Sequence, residues 1–538
     1  MRSIGLGLVE IRRLGLLAYG VAGVSGLLMA LTPAPLNVWP LAWMALAPLW
    51  AMVQGLGSRA WPLALVFGLV YHGSSLAWIG DLHPLMWMGI PEPASIAIAL
   101  GVWLFITFWG AVFGAIWAWG FGYVGRLGLS GPVMALIGTA LWCLTEGLRS
   151  HSGLDWTSLS YTQSPGNRVI LHLGQISGNL TVTAAIVAVN GFIAQALLAA
   201  GPWSSVVRSI RAKEWEILGD RLGRSAVATL RHSGVWTAGV LVLTTHLMGW
   251  SLLSQPLDAK AEQAIHVGIV QGNVPTRIKL TPQGTRQSLR AYTEGYETLA
   301  AEGVDVVLTS EAALPFTWPT YSPTALQTAI EQRHVPIWLG AFGREEERTT
   351  QTLFSIDENG AIISQYDKVK LVPLGEALPF EAILGGLIQR LSPMRGYLTP
   401  GEMGQSFLTP FGQGAIGICY ESAFPDIFRG QVRDGATFLA TASNLDPYAQ
   451  TLMAQHWALD MMRAIETDRW LVRATNTGYS GVIDPHGRSV WRSDARRFVA
   501  HGETIYRRQT TTPYVRFGNW LTPLMLLVSG GVVLARRA

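Results

Sequence analysis

The chain has 538 residues, 49% of them hydrophobic and only 14% charged, with 22 Trp and a formal net charge of +4. This composition points to a membrane protein and gives no basis for a nucleic-acid-binding one, because the excess Arg sits in short segments between apolar runs. Two cysteines provide no disulfide framework, and both are expected to be free thiols.

Apolar runs of about 18–25 residues can cross the hydrocarbon core of a bilayer. Seven are expected before residue 254, at 14–31, 36–54, 61–79, 94–121, 131–148, 181–200 and 235–253, and an eighth at 519–535. Arg2, Arg12 and Arg13 precede the first run. Arg59 and Arg126 lie in the second and fourth connections, and Arg208, Arg211, Lys213, Arg221, Arg224 and Arg231 in the sixth. Arg536 and Arg537 end the chain. The alternate connections are poorer in Lys and Arg, so the positive-inside rule predicts cytoplasmic termini and residues 254–518 on the outer side. Arg12–Arg13 before an apolar run also matches a signal peptide or twin-arginine signal. The lack of a clear small-x-small cleavage site favours a retained span. The fifth connection, HSGLDWTSLSYTQSP (151–165), carries Trp156, Tyr161 and Gln163; it reads either as a lid or docking element or as an interfacial anchor. Most of the other tryptophans fit interfacial belts and helix packing.

Between 254 and 518 the pattern changes. Short β-branched runs at 264–271, 304–310, 335–342, 415–422, 436–443 and 470–476 predict buried strands. Leu289, Tyr292, Tyr296 and Leu299 recur at helical spacing, as do Met453, Trp457, Met461 and Ile465, which predicts two amphipathic helices with one core face each. Alternating strands and helices imply a layered α/β domain. The expected organisation is therefore residues 1–253 with seven spans, 254–518 as an extracytoplasmic domain, and 519–538 as an eighth span with a short basic tail.

Chemistry concentrates in three segments of that domain. AIGICYESAF (415–424) delivers Cys419 at the end of an apolar run, VVLTSEAALP (306–315) offers Glu311, and YDKVKLVPLGE (366–376) offers Lys368. A thiol nucleophile needs a base for its proton and a cation or dipole for the oxyanion. No His lies near Cys419 in sequence, with His456 and His486 elsewhere, so a carboxylate and a lysine are the local choice. A Glu in a partly desolvated pocket has its pKa raised and can act as a base near neutral pH. Singly, each residue has an ordinary alternative: a small core thiol, a strand-end carboxylate, a lysine laid along apolar surface. Together, at strand ends where α/β sheets assemble sites, they form a candidate centre.

In that order, SEAALP, YDKVKLVPLGE and GICYES resemble the nitrilase (carbon–nitrogen hydrolase) superfamily. With the flanking spans, nearly the whole chain resembles the apolipoprotein N-acyltransferase family; TPAPLNVWPLAWMALAPLW (32–50) and DWTSLSYTQ also resemble it. The resemblance implies an α-helical membrane bundle of eight transmembrane helices joined to an αββα sandwich. On this sequence it makes Glu311 the general base, Lys368 the oxyanion stabiliser and Cys419 the nucleophile. Glu376 would orient the lysine, and Tyr420 and Glu421 would occupy the supporting positions after the nucleophile, with the Tyr420 N–H a second oxyanion donor. Trp156 and Asn444 would contact substrate. Lys370 shares a side with Lys368 in an extended chain, and the family pattern favours Lys368. The chain departs from the pattern at Leu280, where the family has Trp, and at SNLDPYAQ (443–450), where Pro447 and Tyr448 replace an aromatic pair. It departs again at Gln351–Thr352–Leu353 in place of Tyr-Asn-Ser.

The implied activity is acyl transfer from a membrane phospholipid, through a Cys thioester, to the α-amino group of a lipoprotein's diacylglyceryl-cysteine, in the bacterial inner membrane. The alternative is a membrane-anchored nitrilase-type amidase or hydrolase using water as acceptor. The expected partners are phospholipid, diacylated apolipoprotein and the bilayer, with no nucleic acid. No cofactor is implied, and no His/Cys/Asp cluster has metal-ligand spacing.

Overall fold

The computed structural model describes residues 2–86, 89–199, 232–257, 259–320, 322–345, 348–373, 375–376 and 398–537. Its chain forms two compact units: residues 1–79, 100–255 and 517–538 in one, and residues 80–99 and 256–516 in the other.

The first unit is helical, and each predicted apolar run overlaps a helix, although the first half of the run 36–54 is mostly turn and short helix. These helices are α1 (Arg2–Ala30), α2 (Ala47–Leu56), α3 (Trp61–Ser75), α4 (Glu92–Val124), α5 (Gly131–His151), α6 (Asn179–Ala199), α7 (Ser233–Leu253) and, after the second unit, α8 (Leu521–Arg537). Among the described residues, five helical stretches are long and apolar enough to cross a membrane by length and composition: Trp39–Ser75, Glu92–Leu127, Gly131–His151, Asn179–Ala199 and Ser233–Leu253. The stretches Gly15–Ala30 and Leu521–Arg536 are apolar but shorter. Two runs expected as separate spans, 36–54 and 61–79, fall largely in the stretch Trp39–Ser75, where Gly57 takes φ 73° between α2 and α3. Leu104, Phe105, Phe108 and Trp119 on α4, and Trp236, Leu243 and Trp250 on α7, face outward. Two long helices with apolar outer faces suit hydrocarbon as the surrounding solvent. The basic connection from Arg208 to Arg231 lies outside the described residues.

The connection 151–165 is tied down rather than loose. Its short 3-10 helix, Leu159–Gln163, is buried. Glu146 on α5 accepts hydrogen bonds from Ser158 Oγ (2.5 Å), Thr183 Oγ1 (2.7 Å) and the Leu159 N–H (3.3 Å). Arg149 on the same helix pairs with Asp155 at 3.1 Å. Among apolar helices these groups have little water to turn to, so satisfying one another fixes the backbone between them.

The second unit is a sandwich. One sheet runs in the order β13-β1-β2-β4-β5-β6, with β3 (Leu314–Thr317) also on β4; the other runs β12-β11-β10-β9-β8-β7. In the first sheet β1 (Ala264–Gln271), β2 (Val306–Thr309) and β4 (Ile337–Glu345) are parallel neighbours. Antiparallel β5 (Arg348–Ile356) and β6 (Ile362–Asp367) follow on one side, and β13 (Val499–Tyr506) closes the other. In the second sheet β8 (Gly412–Ile418), β9 (Phe438–Ser443) and β10 (Leu471–Thr475) are parallel. They are flanked by antiparallel β7 (Phe407–Thr409), β11 (Gly481–Ile483) and β12 (Ser489–Arg492). Trp338 of β4 stacks on Phe438 of β9 at 5.2 Å, so the sheets meet face to face. On the outer face of the first sheet the helix Pro282–Glu302 buries Tyr292, Tyr296 and Leu299, the predicted stripe.

Two expectations are corrected here. The helix Gln450–Thr467 is not amphipathic with a single core face: His456, Asp460, Arg463 and Glu466 are as buried as Met453 and Met461. Charge pairing is the reason, since Arg463 meets Glu466 at 2.9 Å and Asp460 meets Arg473 of β10. Cys419 is also not inside a strand. β8 ends at Ile418, and Cys419 opens a 3-10 turn with φ 52°.

Gly340 lies where β4 passes the segment leaving β2; a Cβ there would run into the Ser310 carbonyl oxygen, next to Glu311. Gly340→Ala is expected to cost about 1–3 kcal/mol through overpacking, readable as a lowered thermal midpoint of the full chain in detergent.

Candidate active site

Four strand ends build the centre. Glu311 follows β2 by two residues, Lys368 directly follows β6, Cys419 directly follows β8, and Asn444 directly follows β9. The Lys368 backbone is held on both sides: its N–H donates to the Gln351 carbonyl at 2.8 Å, and its carbonyl accepts from the Gly401 N–H at 2.8 Å. Its ammonium is fully buried and bridges two carboxylates, Glu311 Oε1 at 2.7 Å and Glu376 Oε1 at 2.8 Å. Each carboxylate is steadied by a backbone donor on its other oxygen: Asn444 N–H to Glu311 Oε2 at 2.9 Å, Val372 N–H to Glu376 Oε2 at 2.8 Å. Lys370 is elsewhere, its ammonium 5.4 Å from the centre of the Phe424 ring.

The electrostatics follow from this packing. Burial alone would pull the Lys368 ammonium down, but Glu311 and Glu376 hold it well above the usual lysine range. Burial also pushes the Glu376 carboxyl up, with Lys368 opposing. The Cys419 thiol is raised above the ordinary range by burial first and then by Glu311, with Lys368 pulling down and Glu376 adding a lesser push up. Cys419 therefore rests as a thiol.

Glu421 performs a separate task. It is fully buried, and its Oε1 accepts from the Val369 N–H at 2.6 Å and the Lys370 N–H at 3.0 Å. Its Oε2 accepts from the Ile418 N–H at 2.7 Å, and the Tyr366 hydroxyl donates to both oxygens at 3.2 Å. One carboxylate thus staples the loop carrying Lys368 to the strand end carrying Cys419. Burial pushes its pKa up to about 7, while the backbone donors of Ile418 and Lys370 pull the other way.

Asn444 contributes its backbone N–H to Glu311, while its side chain is engaged with Thr276 (3.0 Å) and Asn476 (3.0 Å). Tyr420 packs its ring edge-on against Phe424 at 5.1 Å. Trp156 belongs to the helical unit, where it meets Trp78 edge-on at 5.7 Å. Several contributors carry little signal in the sequence. Lys279 is buried and donates to the Glu311 carbonyl at 3.3 Å; burial pulls its pKa to about 8, with Glu311 and Asp446 opposing. His456, remote in sequence, donates from Nε2 to the Cys419 carbonyl at 2.9 Å. Among the described residues no group of three or more His, Cys, Asp or Glu is placed to hold a metal.

The sequence matches known families along most of its length. Residues 25–192 match the apolipoprotein N-acyltransferase N-terminal domain, and residues 266–499 match the carbon–nitrogen hydrolase domain. An apolipoprotein N-acyltransferase of Nostoc is 47% identical over 93% of this chain and 96% of its own. The chain belongs to the apolipoprotein N-acyltransferase family. Relatives of the same name in Thermosynechococcus vestitus and Synechocystis are 41% and 40% identical, covering 96% and 93% of this chain and 95% and 97% of theirs. As a family member it is an acyltransferase whose second unit is a carbon–nitrogen hydrolase domain.

Two outcomes test the geometry. Replacing Glu421 with Gln puts an amide donor among the backbone donors of Ile418, Val369 and Lys370. The loss is expected to be about 1–3 kcal/mol for an unsatisfied buried group, together with most of the activity, as read by denaturation and turnover. Because the thiol is raised, its thiolate fraction is still climbing where an ordinary cysteine, pKa about 8.5, has levelled. Iodoacetamide labelling of Cys419 should accelerate from pH 8 to pH 10 without a plateau near 9.

Proposed function

We propose that the chain N-acylates lipoproteins, taking the acyl group from a membrane phospholipid. The observation that carries this reading is the convergence of Cys419, Lys368 and two carboxylates in one buried cluster at the strand ends. Cys419 Sγ attacks the sn-1 ester carbonyl while Glu311 takes the thiol proton. Of the three Lys368 N–H donors, two serve Glu311 and Glu376, and the third meets the oxyanion. The Tyr420 N–H is the second oxyanion donor. Collapse breaks the ester C–O bond, Glu311 returns its proton to the glycerol oxygen, and lysophospholipid leaves a thioester on Cys419.

The neutral α-amino group of a diacylglyceryl-cysteine then attacks the thioester. A C–N bond forms, the C–S bond breaks, and the amine proton passes through Glu311 to the departing sulfur. Glu376 keeps the ammonium in place through both steps, and Glu421 keeps the lysine loop against the nucleophile turn. Asn444 holds Glu311 from its backbone, and Trp156 contributes to substrate contact from the 151–165 connection.

In this reading residues 1–253 supply seven spans and 519–538 the eighth with a basic tail. Both termini are cytoplasmic, and residues 254–518 stand on the outer side of the inner membrane. The arginines of the even connections and the two ends support that orientation. Both substrates are lipids, which gives the membrane half its purpose.

The test is mass spectrometry of lipoprotein amino termini in a strain whose only copy carries Cys419→Ala. The expected result is free α-amino groups and no acyl-enzyme, with wild type restoring N-acylation. Unchanged N-acylation would sink the proposal, and free fatty acid without N-acyl product from purified wild type would favour a hydrolase.

A further inference from the structure

Under the catalytic turn lies a polar cluster that the acyl-transfer chemistry does not use. His456, Asp460 and Arg473 are all essentially buried. His456 Nδ1 faces Arg473 Nη1 at 2.7 Å, and His456 Nε2 faces the Cys419 carbonyl oxygen at 2.9 Å. A guanidinium can only donate and a carbonyl can only accept, so the tautomer is dictated: Nδ1 is the acceptor and Nε2 carries the hydrogen. Arg473 is itself fixed by an ion pair with Asp460 and by donating from Nε to the Tyr479 carbonyl at 2.9 Å. Asp460 accepts in addition from Thr441 Oγ1 at 3.0 Å. Burial and the Arg473 charge hold the imidazole neutral, with its pKa pulled to about 3. With its acceptor nitrogen occupied by a permanent cation, His456 is no base for the thiol.

What it can do is set a backbone. Cys419 takes φ 52°, the left-handed region that a non-glycine residue adopts at a cost. In a planar trans peptide the C=O of one residue and the N–H of the next point in opposite directions. Anchoring the Cys419 carbonyl toward His456 therefore aims the Tyr420 N–H away from the helix Gln450–Thr467. We propose that His456, held by Arg473 and Asp460, is a positioning residue that locks the Cys419–Tyr420 peptide so that the Tyr420 N–H meets the oxyanion. The inference rests on the reading of Cys419 as the acylated nucleophile.

The test separates a step that develops an oxyanion from one that does not. Full-length wild type, His456→Leu, His456→Gln and His456→Asn are compared in phospholipid–detergent micelles. Single-turnover thioester formation is followed by intact mass, and Cys419 alkylation by iodoacetamide is followed in parallel. Acylation by His456→Leu should fall about 10²-fold in kcat, the order lost with one oxyanion donor, with KM for phospholipid unchanged. Alkylation, a displacement with no tetrahedral oxyanion, should stay within about twofold. His456→Gln, whose amide reaches the carbonyl, should recover most of the rate, and His456→Asn, too short, should not. That Gln–Asn pair decides the matter even if the Leu variant does not fold. Equal acylation in all variants, acylation and alkylation falling together, or Gln no better than Asn would each overturn the inference. A wild type that is alkylated but never acylated would overturn the acyl-transfer reading itself.

Discussion

The Lys368 ammonium, buried between Glu311 and Glu376, is the interaction on which the rest of the domain depends. Taking one ammonium and two carboxylates out of water is costly, and the cost is met only when every partner is in place. Breaking such a pair by removing one member typically costs about 3–5 kcal/mol. The surrounding backbone reflects that demand. Gln351 and Gly401 fix the lysine, Asn444 and Val372 fix the carboxylates, and Glu421 fixes the loop that follows. Burial first, and then the neighbouring carboxylates, explain why Cys419 rests as a thiol: a thiolate would add another negative charge beside Glu311 and Glu376.

Carboxylates of one chemical type are put to different uses by their surroundings. Glu311 and Glu376 share one cation, the Lys368 ammonium. Glu421 is surrounded by backbone N–H donors and the Tyr366 hydroxyl, with no ion-pair partner among the described residues, and acts as a cross-link between β8 and the loop after β6. The sequence places Glu421 in a supporting position after Cys419, and its contacts make it a tie between two segments.

The sequence made the main elements legible because their signals are local. β-branched runs located β1, β9 and β10 to within about two residues, well inside the usual boundary uncertainty. The Tyr292–Tyr296–Leu299 stripe predicted the face of its helix. The strand at 499–506 was not foreseen, and the one at 348–356 was marked only at Gln351–Thr352–Leu353 through the family resemblance: the first is only half-buried and the second opens on Arg, Thr, Thr and Gln, so neither reads as an apolar run. In the membrane half apolar runs gave helices, but hydropathy alone did not show that the run 36–54 is mostly turn and short helix before Ala47. The positive φ of Cys419 was equally hidden, because it comes from tertiary contacts that override the strand preference of the residues before it.

The helix Gln450–Thr467 shows where more could have been read. Alongside Met453, Trp457, Met461 and Ile465 runs a second stripe, His456, Asp460, Arg463 and Thr467, at spacings of four, three and four. A surface helix pairs an apolar stripe with long, flexible charged residues that reach water. Here the second stripe consists of groups that form directional hydrogen bonds, and few Lys or Glu remain to make a solvated face. The neighbouring strand WLVRATN carries Arg473 inside an apolar run, where a lone guanidinium needs a buried acceptor. A helix with no solvated face and a strand with an unpaired cation call for each other. Their meeting point, Asp460 with Arg473, places His456 against the Cys419 carbonyl.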